Sequence, residues 1–277
     1  MTKVVDINKI FADYVKGYLV KNKGKIKPDE IESRTAELYS AFESEPCAAL
    51  GGKTPKEYYA DEPDLLGLLK RHVKENVEVN EYLIEEIEKR VDKKTLAAVL
   101  SDETEDEEVI ETVLDILVES DPKSCVNELI DVLFNKKVCS HAIDDAVEAL
   151  IPFADEVADK LLDRMNAENR TDSYFVEILS HCVVKRKEIK KLILDGLSAG
   201  EKVPEYANYA RIYDDESMLP DLKRILASLS DYVSYKELKM TIESLGGEAG
   251  ERDFTYDKDF IAIKAAEAKA AEDERKD

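Results

Sequence analysis

The chain has 277 residues, of which 44% are hydrophobic and 37% charged, and it carries a formal net charge of −22. The hydrophobic share is enough for a sizeable core and excludes a wholly disordered chain, while glycine (10) and proline (8) are too scarce for the turns of an all-β protein. The acidic excess lacks the basic footprint of nucleic-acid binding and is repelled by anionic membrane surfaces, so on net charge alone the expected partner is basic, or there is none.

In chain order, Ile7, Ile10, Phe11, Tyr14, Val15, Tyr18 and Leu19 recur at helical spacing and predict a first helix over 4–21. Pro28, followed by Asp29 and Glu30, predicts the start of a second, whose apolar face is Ile31, Ala36, Leu38, Tyr39 and Phe42. Residues 46–59 read as irregular, and residues 1–62 as a hairpin-and-loop cap on the helical segments that begin at 63. From Pro63 onward, amphipathic segments alternate with very short breaks. They fall near 63–76, 80–100 (broken at Asp92), 105–120, 122–135, 139–153, 155–168, 172–184, 187–199, 203–213, 216–229 and 232–245. Breaks this short force antiparallel neighbours. Beyond 250 the pattern fades, and residues 251–277 read as an acidic, alanine-rich tail, partly disordered. No apolar run approaches the ~18 residues of a membrane span, and the first residues lack the apolar core of a signal peptide. Cys47, Cys125, Cys139 and Cys182 form no C-x-x-C pair and sit in or beside apolar helical patterns, which fits reduced thiols and a cytoplasmic location.

The segments from 113 onward repeat as hairpins. Each first helix ends on an apolar anchor (Leu117, Leu150, Leu179, Ile212), and the anchors recur every ~29–33 residues. After a polar break, each second helix carries an apolar pair: Leu129-Ile130, Leu161-Leu162, Leu192-Ile193 and Ile225-Leu226. The stretch from Ile116 through Asp121-Pro122 to Val126, with Leu129-Ile130 beyond it, resembles a HEAT repeat, in which an Asp-Pro pair bends the chain between two helices. The later units place Ala154-Asp155, Lys185-Arg186 and Asp214-Asp215 at that bend. The resemblance spans roughly residues 63–245, in a region of helical repeats. It implies an all-α fold, a HEAT-like (armadillo-like) α-α superhelix or solenoid of antiparallel hairpins over 63–250.

Few motifs offer chemistry. Gly52-Lys53-Thr54 superficially matches a phosphate loop, but Cys47 stands where the motif needs glycine and prolines flank the loop. A Gly-Gly turn followed by Thr54 as N-cap and Pro55 at the first helical position accounts for these residues. The acidic run 101–108 lacks the spacing of a calcium loop and reads as a solvated loop with Thr104 or Asp106 capping the next helix, or else as a dock for a basic segment. Cys139 and His141, and likewise His181 and Cys182, are spaced too closely to share a helical face as metal ligands. We therefore expect no catalytic residues, no cofactor and no metal.

Two sets of residues remain as candidate partner-binding positions. Arg164, Lys191 and Arg224 occupy equivalent places in successive second helices, between apolar residues, and would form a basic ladder on an inner face; local pairs, Asp221 with Arg224 or Glu188 with Lys191, are the alternative. Tyr206, Tyr209 and Tyr213 lie on one helical stripe, as core residues or as a tyrosine-rich contact surface. The resulting expectation is a non-catalytic scaffold that presents a concave helical surface to a protein or peptide, with no role for nucleic acid or membrane. The alternative is an enzyme, of lyase or nucleic-acid repair type, on a HEAT-like scaffold.

Overall fold

The protein is described as a computed structural model covering residues 2–22, 33–102, 104–120 and 122–273. Among the described residues the fold is all-α, with no strand and one isolated bridge, between Cys47 and Lys53. The chain divides into two compact units, residues 1–146 and 147–277.

The first unit opens with α1 (Ile7–Lys21). It begins at Ile7 rather than near Val4 because Asp6 caps it, accepting a hydrogen bond from the Lys9 amide at 2.8 Å. Helix α2 (Thr35–Ser44) supplies Tyr39 and Phe42, whose rings pack on Phe11 at centroid distances of 4.9 and 5.4 Å. The helix start expected at Pro28 lies outside the described residues. Helix α3 (Pro55–Tyr58) follows a turn in which Gly51 and Gly52 take φ of 68° and 84°. A complete Thr54–Glu57 capping box, with Pro55 at the first helical position, matches the structural reading of that loop.

Helices α4 (Leu65–Lys74), α5 (Glu81–Arg90), α6 (Lys93–Leu100), α7 (Glu107–Ser120) and α8 (Val126–Phe134) follow with short connections. Asp92 breaks the expected 80–100 segment because its carboxylate caps α6 on the Thr95 amide at 3.0 Å. Asp106 serves α7 in the same way, through the Glu108 amide at 3.1 Å. Residues 1–62 are tied into this unit: the Arg90 guanidinium donates to the carbonyls of Tyr59, Ala60 and Glu62 at 3.3, 2.8 and 2.7 Å. Fully buried Tyr59 accepts from Asn80 Nδ2 at 2.7 Å. The division between the units falls inside α9 (Ser140–Leu150), near none of the sequence boundaries.

The second unit contains α10 (Ala154–Glu168), α11 (Ser173–Ser180), α12 (Lys187–Ala199), α13 (Val203–Tyr213), α14 (Leu219–Ser228), α15 (Tyr232–Ser244) and α16 (Lys258–Asp273). Helices α11, α13 and α15 pack in succession, α12 packs on α14, and each hairpin pairs neighbours: α10 with α11, α12 with α13, α14 with α15. Residues at three- and four-residue spacing build the core: Ile189, Ile193 and Leu197 of α12, and Ala207, Ala210 and Tyr213 of α13, are all 1% exposed or less. Helix α16 accounts for much of the expected tail. Asp257 caps it on the Phe260 amide at 3.0 Å, and Phe260 docks edge-on against Tyr232 at 5.0 Å. Residues 274–277 lie outside the described residues.

Gly196, in the middle of α12, has a packing reason. A Cβ there would lie 2.1 Å from Cε1 of Tyr206. Alanine would normally favour a helix interior by about 1 kcal/mol. Gly196→Ala is instead expected to destabilise the unit by about 1–3 kcal/mol and to displace the Tyr206 ring. Urea unfolding checks this, and a gain in stability would show that the ring moves aside freely.

Candidate functional site

The three basic positions do not behave alike. On α10, Arg164 Nε donates to Glu168 at 3.0 Å, one turn along the same helix. On α14, the Arg224 guanidinium donates to Asp221 at 2.7 Å, the local pair the sequence spacing suggests. Lys191 on α12 is exposed and, among the described residues, makes no ion pair, so the alternative pairing with Glu188 is not formed.

Lys191 and Arg224 line one groove of about 460 Å³ between α12 and α14. Arg164 is not among the residues lining it. Lys187 and Lys190 enter the same groove from α12, and Leu194 and Ile225 supply apolar surface. Asp195 and Asp221 also line it. The Lys190 ammonium is held by Ser217, donating to its carbonyl at 2.7 Å and its hydroxyl at 3.1 Å. Lys187 is exposed and, like Lys191, has no ion-pair partner among the described residues. On its other side, Lys191 borders a smaller groove of about 310 Å³ shared with α10 and lined by Arg170 and Glu188. The ladder takes Lys191 from the Lys190-Lys191 pair and leaves out Lys187. The signal was legible, since Lys185, Arg186, Lys187, Lys190 and Lys191 fall within seven residues against one acid, Glu188.

The tyrosine stripe requires correction as a contact surface. Tyr213 is 0% exposed and Tyr209 5%. The Tyr213 hydroxyl donates to the Arg186 carbonyl at 3.1 Å and accepts from the Arg186 amide. The Tyr209 hydroxyl reaches Glu205 at 3.0 Å and Glu177 at 3.4 Å; burial, reinforced by these carboxylates, holds its phenol well above the ordinary range. Both polar tips are therefore satisfied inside the unit. Tyr206 alone is half-buried, edge-on to Tyr209 at 5.5 Å.

The sulfur and histidine groups fall elsewhere. All four cysteines are free thiols, with Cys125 and Cys182 buried. Burial, then Asp155, pushes the Cys182 thiol up to about 11. His141 is paired with Asp145 at 3.7 Å. Among the described residues one group of donors lies close enough to hold a metal ion: Glu107, Glu111 and Cys139, with ligand atoms within 4.8 Å of one another. Local structure accounts for each of them. Glu107 stands in the first turn of α7, where the helix dipole favours acids, and Glu111, one turn further on, accepts from Cys139. Cys139 caps α9, accepting from the Ala142 amide at 3.4 Å, and donates to Glu111. That bond to a carboxylate, more than burial, pushes the thiol above its ordinary value. Glu111→Gln is therefore expected to speed alkylation of Cys139 by iodoacetamide near neutral pH, because the thiolate no longer faces an anion. An unchanged rate would place Glu111 away from the sulfur.

No family model, curated protein or solved structure matches this chain.

Proposed function

We propose that the chain is a non-catalytic scaffold of stacked HEAT-like hairpins that docks a protein or peptide partner. The observation carrying this reading is the interval at which helices are tied together. In the second unit, side-chain hydrogen bonds join Val183 to Asp155 at a separation of 28 residues, Lys190 to Ser217 at 27, Tyr209 to Glu177 at 32 and Thr241 to Ala207 at 34. In the first unit, Ser101 joins Asp131 at 30. These intervals straddle the spacing of the apolar anchors, as they do when each hairpin rests on the next copy of the same motif. A hairpin of that size does not bury its own apolar face, and a row of them offers continuous grooves between like helices. The groove between α12 and α14 is such a surface, and it is cationic in a chain of net charge −22.

Two measurements test the reading. A stacked-repeat chain of 277 residues is expected to scatter with a radius of gyration above the roughly 19 Å of a compact globule of that length. A partner isolated from the native host is expected to re-form a stoichiometric complex from purified components. A compact scattering profile removes the solenoid, and failure of every candidate to re-form a complex removes the scaffold.

A further inference from the structure

We infer that the groove between α12 and α14 takes an acidic peptide segment of a partner protein, its carboxylates on Lys187, Lys191 and Arg224 and an apolar side chain over Leu194 and Ile225. This rests on the scaffold reading and names the chemistry of its partner.

The first support is charge. Across the chain, acids outnumber lysine and arginine 62 to 40, yet this groove is lined by four cations and two acids. Two of the four have internal tasks: Lys190 is held by Ser217 and Arg224 by Asp221. Lys187 and Lys191 are exposed and, among the described residues, lack an acid within ion-pair distance. They stand one turn apart on α12, a spacing that puts both on one face. Some other lysines are matched to acids, as Lys53 with Asp61 at 2.8 Å and Lys89 with Glu85 at 3.0 Å, while Lys56 and Lys223, like Lys187 and Lys191, show no ion pair among the described residues. The net negative charge does not forbid an acidic ligand. Repulsion from distant carboxylates is screened over roughly 8 Å in physiological salt, while cations between two helix walls act at contact.

The second support concerns which anion fits. A nucleic-acid strand brings a continuous row of phosphates, and Asp195 and Asp221 interrupt the cations that would follow it. No aromatic side chain lines the groove to stack a base. The apolar surface is aliphatic, from half-buried Leu194 and nearly buried Ile225, and suits a leucine or valine between spaced carboxylates. Nor is the chain's own acidic tail the favoured occupant. Glu267 pairs with Lys264 at 2.7 Å, and α16 is docked on α15 through Phe260 and Tyr232.

The test uses the full chain and three fluorescent probes: a short peptide of Asp, Glu and Leu, its counterpart with Lys replacing the acids, and oligothymidylate. Anisotropy titration is expected to show binding of the acidic peptide, weakening as salt is raised, with the basic peptide and the oligonucleotide bound less tightly. Exposed ion pairs are individually weak, so single reversals are expected to change affinity only a few-fold. The triple variant Lys187→Glu, Lys191→Glu, Arg224→Glu is expected to lose about tenfold or more, with the helical circular dichroism signal unchanged. Leu194→Gln, which leaves the charges in place, is expected to weaken binding a few-fold. Equal affinity for the triple variant, no binding by the wild type, or oligonucleotide binding as tight as the acidic peptide overturns the inference. Failure here is separable from failure of the scaffold: a native partner that still binds the triple variant stoichiometrically leaves the scaffold standing and moves its working surface elsewhere.

Discussion

Truncating Tyr213 to alanine is expected to cost about 3–5 kcal/mol of unfolding free energy, the range for removing a buried aromatic ring. The side chain is 0% exposed at the C-terminal end of α13. Its ring carries the Lys185 ammonium 4.4 Å from the centroid, and its hydroxyl satisfies both the amide and the carbonyl of Arg186. Lys185 in turn donates to the Tyr213 carbonyl. Tyr213 thus clamps the chain just before α12, whose first residue is Lys187. Tyr213→Phe separates the two contributions. It keeps the ring and the cation above it but leaves the Arg186 groups without their partner, at a cost of about 1–3 kcal/mol. Urea titrations of the two variants give the comparison, and an alanine variant within about 1 kcal/mol of wild type would mean the ring is not a core element.

Helix positions were largely legible in the sequence, because periodicity and caps are local. Asp92, Thr54 and Asp106 act within three residues, so a reader of the sequence alone can find them. The tyrosine stripe shows where local reading stops. Spacing places Tyr206, Tyr209 and Tyr213 on one face, but whether that face is wet depends on groups about one repeat away: Arg186 for Tyr213, Glu177 for Tyr209. The basic residues divide in the same way. Asp221 with Arg224 is a helical neighbour pair and readable, whereas the placing of Lys187 and Lys191 opposite Arg224 depends on how α12 packs on α14. The repeat interval reaches further than helical spacing does. Glu111 and Cys139, which meet through a hydrogen bond, are 28 residues apart, and the anchors had already given roughly that distance. Gly196 was invisible for a related reason, since the ring it makes room for belongs to the following helix.

The stability of the chain is expected to fall as the pH drops below about 6.5, through His72 in the first unit. His72 is 0% exposed on α4, with Nδ1 3.3 Å from the Glu78 carbonyl. A carbonyl only accepts, so Nδ1 carries a proton, and burial favours the neutral ring with that single proton. Nε2 is then a bare lone pair, buried with no hydrogen-bond partner among the described residues. Protonating it would bury a cation whose new N–H has no acceptor among the described residues. Burial is the main reason the imidazole titrates below its ordinary 6.5, outweighing the Glu78 and Val77 carbonyls that favour the charged form. The sign comes from proton counting. Between the lowered folded value and 6.5 the unfolded chain binds more protons than the folded one, so stability rises with pH across that window and is fully present above it. Glu62 adds a second step at lower pH. It is 1% exposed; burial alone would raise its carboxyl, but the amides of Thr2 and Asp64 hold it below its ordinary 4.5. Its contribution is present above 4.5 and is lost as the pH falls through the depressed value. The two steps separate by mutation. His72→Leu is expected to flatten the urea midpoint between about pH 7 and pH 5 while leaving the loss at lower pH, and Glu62→Gln to do the reverse. A wild-type midpoint that does not move between about pH 7 and pH 5 would mean that His72 titrates in the folded chain as it does in the unfolded one, and that its Nε2 has a partner.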